Sequence, residues 1–447
     1  MTIHFIGIGG IGVSALAKYY LKKGWRVSGC DLARSEITDQ LKKMGAHIRI
    51  GDTSKIDTCI KLRDQYSQIV YSPAVPKNHP ERAAARKQGI PELSYPQALG
   101  ELTRSHCTIA VSGTHGKSTT TAMIGLLLTK AGFDPTVIVG TKLKEFGNSN
   151  CRVGKSKYLI IEADEHFASF LNYWPKIIVL TTIEADHLDY WKTLKNLING
   201  FLKYTTHIPQ DGTLIANKDD KNIQSILKKS KTKIQGYSLK QKEASVLQRI
   251  LKVPGQHNVS NALAALTVAR LLRIPDKTSY QSLSQYKGSW RRFEIFSIKK
   301  PKPYTLVSDY GHHPTEIKVT LQAAREKWPK KNIWLIYQPH QYQRTFYLFK
   351  EFVKVLSRLP VQKLILLDIY DVAGREEGNI KKKVSSAKLL KAIQATSYKL
   401  QATALHIPTA EEAERYIKKH LKGGEVLMIM GAGDIYQKLT LQLTHSL

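Results

Sequence analysis

The run Ser112-Gly113-Thr114-His115-Gly116-Lys117-Ser118-Thr119 sets two glycines, a lysine and several hydroxyls close together. Backbone N–H groups of such a loop can cradle phosphate oxygens. The Lys117 ammonium can reach a terminal phosphate, and the Ser118 hydroxyl can ligate a divalent cation. The loop follows the apolar run Thr108–Val111 and opens a helix expected over Thr119–Lys130. It is not the common phosphate-loop pattern, because Val111 stands where a leading glycine belongs. The shortened G-T-x-G-K-[ST] form is narrower in distribution and therefore more specific. A charged lysine at a loop–helix junction fills no core volume, so Lys117→Ala is expected to cost activity and not the fold.

Two acidic clusters follow. Glu162-Ala163-Asp164-Glu165 comes after the strand-like run Tyr158–Ile161, and Glu184-Ala185-Asp186-His187 after Ile177–Thr182. One acidic cluster is usually a solvated loop. Two at adjacent strand ends, downstream of a phosphate loop, point to a two-metal ATP site. His312 and His313, between Tyr310 and Pro314, precede a helix start at Thr315-Glu316; a histidine pair in a loop is as often incidental as functional. Arg291-Arg292, Gln338-Pro339-His340, Arg344 and Asp434 are weaker signals when read singly.

A third constellation lies at the N-terminus. Gly7-Ile8-Gly9-Gly10-Ile11-Gly12 satisfies G-x-G-x-x-G after a strand, and Asp31 ends the next strand. Glycines there let the backbone approach a diphosphate at a helix N-terminus. Alone the motif suggests a dinucleotide-binding dehydrogenase, yet a nucleotide sugar presents the same diphosphate.

All these residues fall where strands end. Short β-branched runs, among them Ile333–Tyr337, Lys363–Leu367 and Val426–Met430, alternate with longer helical stretches such as Asn258–Leu272. That alternation predicts α/β domains with mostly parallel sheets, whose ligands lie beyond the carboxyl ends of the strands. Turn-prone residues around Pro96 and at Gly288–Trp290 suggest three domains, 1–100, 101–289 and 290–447.

Composition narrows the class. A chain of 447 residues with 42% hydrophobic content can build several cores. Cys30, Cys59, Cys107 and Cys151 lie far apart, so neither a disulfide framework nor a zinc site is expected, in keeping with a reducing, cytoplasmic setting. No basic leader precedes the first apolar stretch and no run is long enough to span a bilayer, so neither a signal peptide nor membrane insertion is expected. The net charge of +32 could attract polyanions. However, Lys228-Lys229, Lys330-Lys331 and Lys381-Lys383 are scattered, which fits a general lysine bias on solvated faces and no specific nucleic-acid partner.

Taken together, the motifs resemble those of the Mur ligases along essentially the whole chain. They are GIGGIG at Gly7, SGCDL at Ser28, YSPAVPKNHPE at Tyr71, SGTHGKSTTT at Ser112, EADE at Glu162 and TIEADHLDY at Thr182. GQHNVSNALAA at Gly255, RRFE at Arg291, DYGHHPTEI at Asp309, QPHQYQRT at Gln338 and GAGDIY at Gly431 complete the set. DYGHHPTE with GAGDI marks the branch that adds L-alanine to UDP-N-acetylmuramate.

The resemblance implies three domains: Rossmann-like N-terminal, P-loop-like central ATPase and Rossmann-like C-terminal. It implies ATP and Mg2+ as cofactors and an acyl phosphate that the amine of L-alanine then attacks, as monomer or homodimer. Gly9, Gly10, Gly12, Asp31 and Ser72 would hold the sugar nucleotide. Gly113, Thr114, His115, Gly116, Lys117, Ser118 and Thr119 would hold ATP, with Asn258 and Asn261 at the adenine and Arg291 nearby. Ser118, Glu162 and His187 would be metal ligands, the histidine an uncommon one for magnesium. Tyr310, His312, Gln341 and Arg344 would line the meeting point of sugar carboxylate and amino acid. Lys117, His187, His312 and Arg344 would be catalytic. His312 is within reach to deprotonate the alanine ammonium, though the family pattern does not single out a base.

Several positions depart from the family pattern. Ser118 replaces a threonine, and His166-Phe167 replaces Ser-Asp after EADE. Asp52 stands where a histidine is usual, and Gln341 replaces an arginine.

Rival readings use fewer of these residues. An NAD-linked oxidoreductase leaves Lys117, Glu162 and His187 without a role, and a nucleic-acid binder leaves every strand-end motif unexplained. The nearest rival is the sibling ligase that attaches a recycled murein peptide to the same sugar nucleotide.

Overall fold

A computed structural model describes residues 1–51, 66–299, 302–372, 379–396 and 402–445. Asp52, Cys59 and Arg375 lie outside the described residues. The chain forms two compact units. One comprises Met1–Ile183, Ile198–Ser238 and Asn261–Leu283; the other comprises Glu184–Leu197, Leu239–Ser260 and Ser284–Leu447.

The first unit holds two sheets. Strands β1 (Thr2–Ile6), β2 (Arg26–Asp31), β3 (His47–Ile50), β4 (Gln68–Tyr71) and β5 (Glu92–Ser94) pair in the order β3-β2-β1-β4-β5, all parallel. The chain leaves β1 with partners on both sides, so the glycine turn lies at the point where strand order reverses, the usual nucleotide crevice of such sheets.

The second sheet contains β6 (Cys107–Ser112), β7 (Thr136–Leu143), β8 (Ser149–Arg152), β9 (Tyr158–Ala163), β10 (Ile177–Leu180), β11 (Thr213–Asn217) and β12 (Lys233–Tyr237). Their order is β12-β11-β10-β6-β9-β7-β8, parallel except for the β7–β8 hairpin. β6 is again flanked on both sides, by β9 and β10, so the phosphate loop and both acidic clusters leave neighbouring strands.

The second unit holds β13 (Glu294–Ile298), β14 (Tyr304–Asp309), β15 (Ile333–Tyr337), β16 (Lys363–Leu366), β17 (Thr403–His406) and β18 (Val426–Met430). They pair as β13-β14-β18-β15-β16-β17, with only β13 antiparallel. Alternate residues feed opposite cores: Ile333, Leu335 and Tyr337 one, Trp334 and Ile336 the other. Burial on both faces is why these strands read as unbroken apolar runs.

The result is the expected α/β architecture of three domains: Rossmann-like, P-loop-like and Rossmann-like. Expected ends shift by a residue or two; the helix after the phosphate loop starts at Lys117, not Thr119. Around Pro96 the difference is larger, since Tyr95–Arg104 is helical. Ser94 and Gln97 form a reciprocal cap, and proline in the first turn lacks only an N–H that would have had no helical partner. Among the described residues, no helix is long and apolar enough to cross a membrane.

Candidate active site

At the end of β1, Gly9 N–H donates to Asp31 Oδ2 over 2.7 Å, and Gly10 N–H donates to the carbonyl of Gly7 over 3.2 Å. Gly10 caps the helix Ile11–Lys22 without a side-chain acceptor. Ser72 N–H donates to the Ile6 carbonyl, which sets Ser72 beside Gly7. Gly9, Gly10, Asp31 and Ser72 therefore meet at one turn. Gly12 serves a different end: the space its missing Cβ leaves is filled by the ring of Tyr95.

The phosphate loop is fixed by β10. Thr114 N–H donates to the Thr182 carbonyl (2.8 Å) and His115 N–H to Thr182 Oγ1 (3.0 Å). Gly113 has φ +130°, and a Cβ there would lie 2.3 Å from Thr181 Oγ1, so only glycine closes this loop. Lys117 Nζ donates to the Gly113 carbonyl (2.7 Å) and to Glu165 Oε2 (2.8 Å). Burial alone would lower the Lys117 ammonium, but the Glu165 and Asp164 carboxylates hold it above its usual range. Ser118 Oγ donates to Glu162 Oε2 at 3.0 Å. A hydroxyl and a carboxylate converging in this way form an oxygen donor set that fits Mg2+. Thr119 is buried in the first turn. Asn261 packs against Gly116 and accepts from Thr120 Oγ1 (3.2 Å). Asn258, a turn earlier on the helix Gln256–Leu271, donates to the Pro254 carbonyl.

His187 belongs to the second unit, so the expected metal set Ser118, Glu162 and His187 is divided between the two units. It caps the short helix Leu188–Trp191 with φ +52°, and its N–H donates to Asp186 Oδ1 (2.8 Å). The same carboxylate takes Arg344 Nε at 3.0 Å and Nη2 at 3.4 Å. Burial would raise Asp186, but the Arg344 guanidinium and the neighbouring histidines hold it well below the usual carboxylate range. A small recess beside this pair is lined by Asp186, His187, Gln341, Arg344 and Tyr347. Gln341 is buried and adopts φ +71°, a conformation few side chains accept.

His312 and His313 do different work. His313 Nδ1 accepts from Thr315 N–H (3.2 Å), so its Nε2 carries the proton and donates to the Ala185 carbonyl (3.2 Å). His313, not Thr315, thus caps the helix Pro314–Lys327. His312 Nδ1 donates to the Tyr310 carbonyl (3.2 Å), which leaves Nε2 as an acceptor. Burial and then the nearby Arg344 push its protonation down to about 3, against the pull of Glu316. So weak a base is a poor remover of a proton from an alkylammonium. That is a physical argument against the base role its reach suggested; what Nε2 can do is accept a hydrogen bond.

Arg291 is held by the C-terminal sheet. Its guanidinium is buried among the rings of Trp290, Tyr310 and Tyr436. Nη2 donates to the carbonyls of Gly431 (2.5 Å) and Gly433 (3.2 Å), pinning the loop after β18. In this arrangement it braces the fold through Nη2. The Asp309 carboxylate ties the segment before β13 to the turn after β14 by accepting from the N–H groups of Phe293 and Gly311.

Sequence spacing missed one buried cluster. Glu81 Oε2 accepts from the Cys30 thiol (2.8 Å) and lies 3.3 Å from His4 Nε2, while Arg49 pairs with Oε1. These are metal-ligand types, but thiol, imidazole and guanidinium already satisfy the carboxylate, so the cluster needs no metal to be stable. Glu165 and Tyr95 also carried no assigned role. The Ser94-x-x-Gln97 capping pattern was the available signal for the helix that presents Tyr95.

A phosphate loop backed by acids and a separate diphosphate turn, each at the reversal point of its own sheet, define a nucleotide-using enzyme of modular α/β domains. The chain belongs to the Mur ligase family. The Mur ligase family catalytic domain matches residues 2–106, the Mur ligase middle domain 111–269, and the Mur ligase glutamate ligase domain 291–433. The chain is 38% identical to a UDP-N-acetylmuramate–L-alanine ligase of Clostridium acetobutylicum, covering 97% of this chain and 96% of that one. It is also 38% identical to the ligase of the same name from Acetivibrio thermocellus, covering 97% and 94%. Among solved structures, UDP-N-acetylmuramate-alanine ligase MurC from Thermotoga maritima matches with a TM-score of 0.79 at 26% identity, covering 100% and 99%.

Proposed function

We propose that this enzyme joins L-alanine to the lactyl carboxylate of UDP-N-acetylmuramate, using ATP and passing through an acyl phosphate. This is the first amino-acid step of peptidoglycan stem-peptide synthesis. The observation that carries the reading is the pairing of two phosphate-binding turns with the acids beyond β9, in a chain so similar over its whole length to ligases of that name.

In this reading the sugar nucleotide's diphosphate rests on Gly9–Gly12 with Asp31 and Ser72 beside it. ATP lies over Gly113–Thr119, with its adenine at Asn258 and Asn261. Lys117 exchanges Glu165 for phosphate oxygens, which offsets charge as the phosphoryl group moves. Ser118 and Glu162 would hold Mg2+, with His187 a ligand to a second ion; bound magnesium would lower the charge repulsion between carboxylate and phosphate. Tyr310, His312, Gln341 and Arg344 would receive the amino acid. Domain limits near residues 100 and 289, a cytoplasmic setting and a monomeric or dimeric state belong to the same proposal.

Phosphate release tests it. Turnover should require UDP-N-acetylmuramate and Mg2+ together and should rise with L-alanine. Equal turnover with UDP-N-acetylglucosamine, which lacks the lactyl carboxylate, would defeat the acyl-phosphate step. Preference for the stem tripeptide over L-alanine would identify a peptide-recycling enzyme instead.

A further inference from the structure

The Asp186 carboxylate serves two groups at once. Oδ1 accepts from the His187 N–H (2.8 Å) and from Arg344 Nε (3.0 Å), and Oδ2 accepts from Arg344 Nη2 (3.4 Å). Both side chains of this ion pair are buried. The segment that carries Asp186 is anchored without it. Thr315 Oγ1 donates to Glu184 Oε2 (2.6 Å), and His313 Nε2 donates to the Ala185 carbonyl (3.2 Å). Arg344 is less well provided. Apart from Asp186, its guanidinium hydrogen-bonds only to His340 among the described residues, with Nη1 3.4 Å from the carbonyl oxygen and 3.3 Å from Nδ1.

A buried ion pair can be packing alone, yet such pairs are weak sources of stability. What packing leaves unexplained is the edge on which this pair forms. Asp186 takes the Nε–Nη2 edge of the guanidinium. The outer edge, between Nη1 and Nη2, keeps hydrogens for a second planar acid, and a two-point match of that kind is how arginine reads a carboxylate. Asp186 and Arg344 also line one recess together with Gln341 and Tyr347, so the pair stands where a small ligand can enter.

We infer that Asp186 is a positioning residue for the amino-acid substrate: by holding the inner edge of Arg344, it keeps the outer edge turned into the recess to pair with the substrate's carboxylate. The same Oδ1 fixes the backbone of His187, so the two positions share one support. The inference rests on the ligase reading above and names the group that aims its amino-acid site.

Asp186→Asn separates the two supports. An amide oxygen in the place of Oδ1 still accepts from the His187 N–H and from Arg344 Nε. Its NH2 group then faces Nη2 donor to donor and turns the guanidinium. KM for L-alanine should rise about tenfold, the usual loss for one charge-assisted hydrogen bond. KM for ATP and for UDP-N-acetylmuramate should stay unchanged. Glycine and L-serine, where accepted, should lose by the same factor, since all three share the carboxylate. Arg344→Lys removes the planar fork, so adding Asp186→Asn to it should raise KM for L-alanine no further. If Asp186→Asn does not fold, Asp186→Glu keeps the charge, shifts the carboxylate and should give the same selective rise. An unchanged KM for L-alanine in the folded variant would overturn the inference, as would additive effects in the double variant. A fall in KM would overturn it too, because Asp186 would then compete with the substrate for Arg344. If the wild-type enzyme releases no phosphate with any of these amino acids, the ligase reading fails and the inference falls with it. Normal wild-type turnover beside an unaffected variant is failure of the inference alone.

Discussion

The Lys117 ammonium lies 2.8 Å from a carboxylate oxygen of Glu165, a side chain with no solvent exposure. Without nucleotide, the phosphate-loop lysine is therefore neutralised from within the fold. Burial pushes Glu165 up to about 7, against the pull of Lys117. ATP has to compete with this carboxylate for the lysine, and Glu165 can take up a proton when the lysine leaves.

Lys117→Ala should lower kcat by orders of magnitude, but the pairing revises the expectation that the fold is indifferent. Breaking a buried ion pair from one side costs roughly 3–5 kcal/mol, because the other charge stays buried. Without its cation, Glu165 rises still further above its unfolded value of 4.5. A carboxyl so raised destabilises the fold progressively as pH climbs through that window. The stability deficit against wild type should be small near pH 5 and large near pH 8. Urea unfolding at both values tests this, and Glu165→Gln in the same background should recover most of the loss. Equal stability of Lys117→Ala and wild type at pH 8 would show that the pair contributes nothing.

Glu81 should govern acid stability. Burial would raise it, but His4, Cys30 and Arg49 bring it from 4.5 down to about 2. The sign is that of a depressed carboxylate: its contribution is present above about 4.5 and is lost as pH falls toward 2. The shift corresponds to about 3 kcal/mol at most. Glu81→Gln should be less stable than wild type at pH 7 and should lose less than wild type between pH 5 and pH 2. Parallel pH–stability curves for the two proteins would contradict this.

How much of this was legible in the sequence follows from which residues are near one another in it. Gly113 to Ser118 and Gly7 to Gly12 are local motifs, so their strand-end positions could be read directly. The Asp186–Arg344 pair spans 158 residues and the Cys30–Glu81 contact 51, and no spacing rule brings such partners together. Arg291 has contacts that its motif does not announce. An arginine in a motif suggests an anion, yet here its acceptors are the carbonyls of Gly431 and Gly433, which become available only when β18 lies beside β14. Tyr95 was hidden for a third reason, since a proline beside it suggested a turn and not a helix start.

Lys18 predicts the alkaline side. It is almost wholly buried, donating to Gln40 Oε1 (2.7 Å) and to Asn150 Oδ1 (2.9 Å) on β8. Burial lowers it to about 8, with Lys142 and Lys22 adding repulsion and Cys151 and Glu36 opposing. A lysine depressed in the fold costs stability while both states are protonated and is relieved as pH rises from about 8 toward 10.5. Wild type should therefore gain up to about 2 kcal/mol relative to Lys18→Met between pH 8 and pH 10. Guanidinium unfolding at those two values measures it, and an unchanged difference between the proteins would mean Lys18 keeps its ordinary affinity for a proton.

Gln341 stands where the family pattern has an arginine, and it lines the recess with Asp186, His187 and Arg344. Arg344 is already engaged by Asp186, so its guanidinium is only partly available to an incoming carboxylate. Glutamine offers a neutral donor in place of a planar charged fork. A charge-assisted bond exceeds a neutral one by roughly 1 kcal/mol, or a factor of about five to ten in affinity. Gln341→Arg should therefore lower KM for L-alanine several-fold. KM for ATP should not respond, because Lys117 and Ser118 lie in the other compact unit. The positive φ at Gln341 belongs to the backbone and persists with either side chain, so the melting temperature should barely change. An unchanged or higher KM for L-alanine would mean that another group already binds that carboxylate, or that Gln341 reports a different preferred amino acid. Glycine, L-serine and L-alanine assayed side by side on both proteins separate these two results: the first leaves the order of preference intact, and the second reverses it.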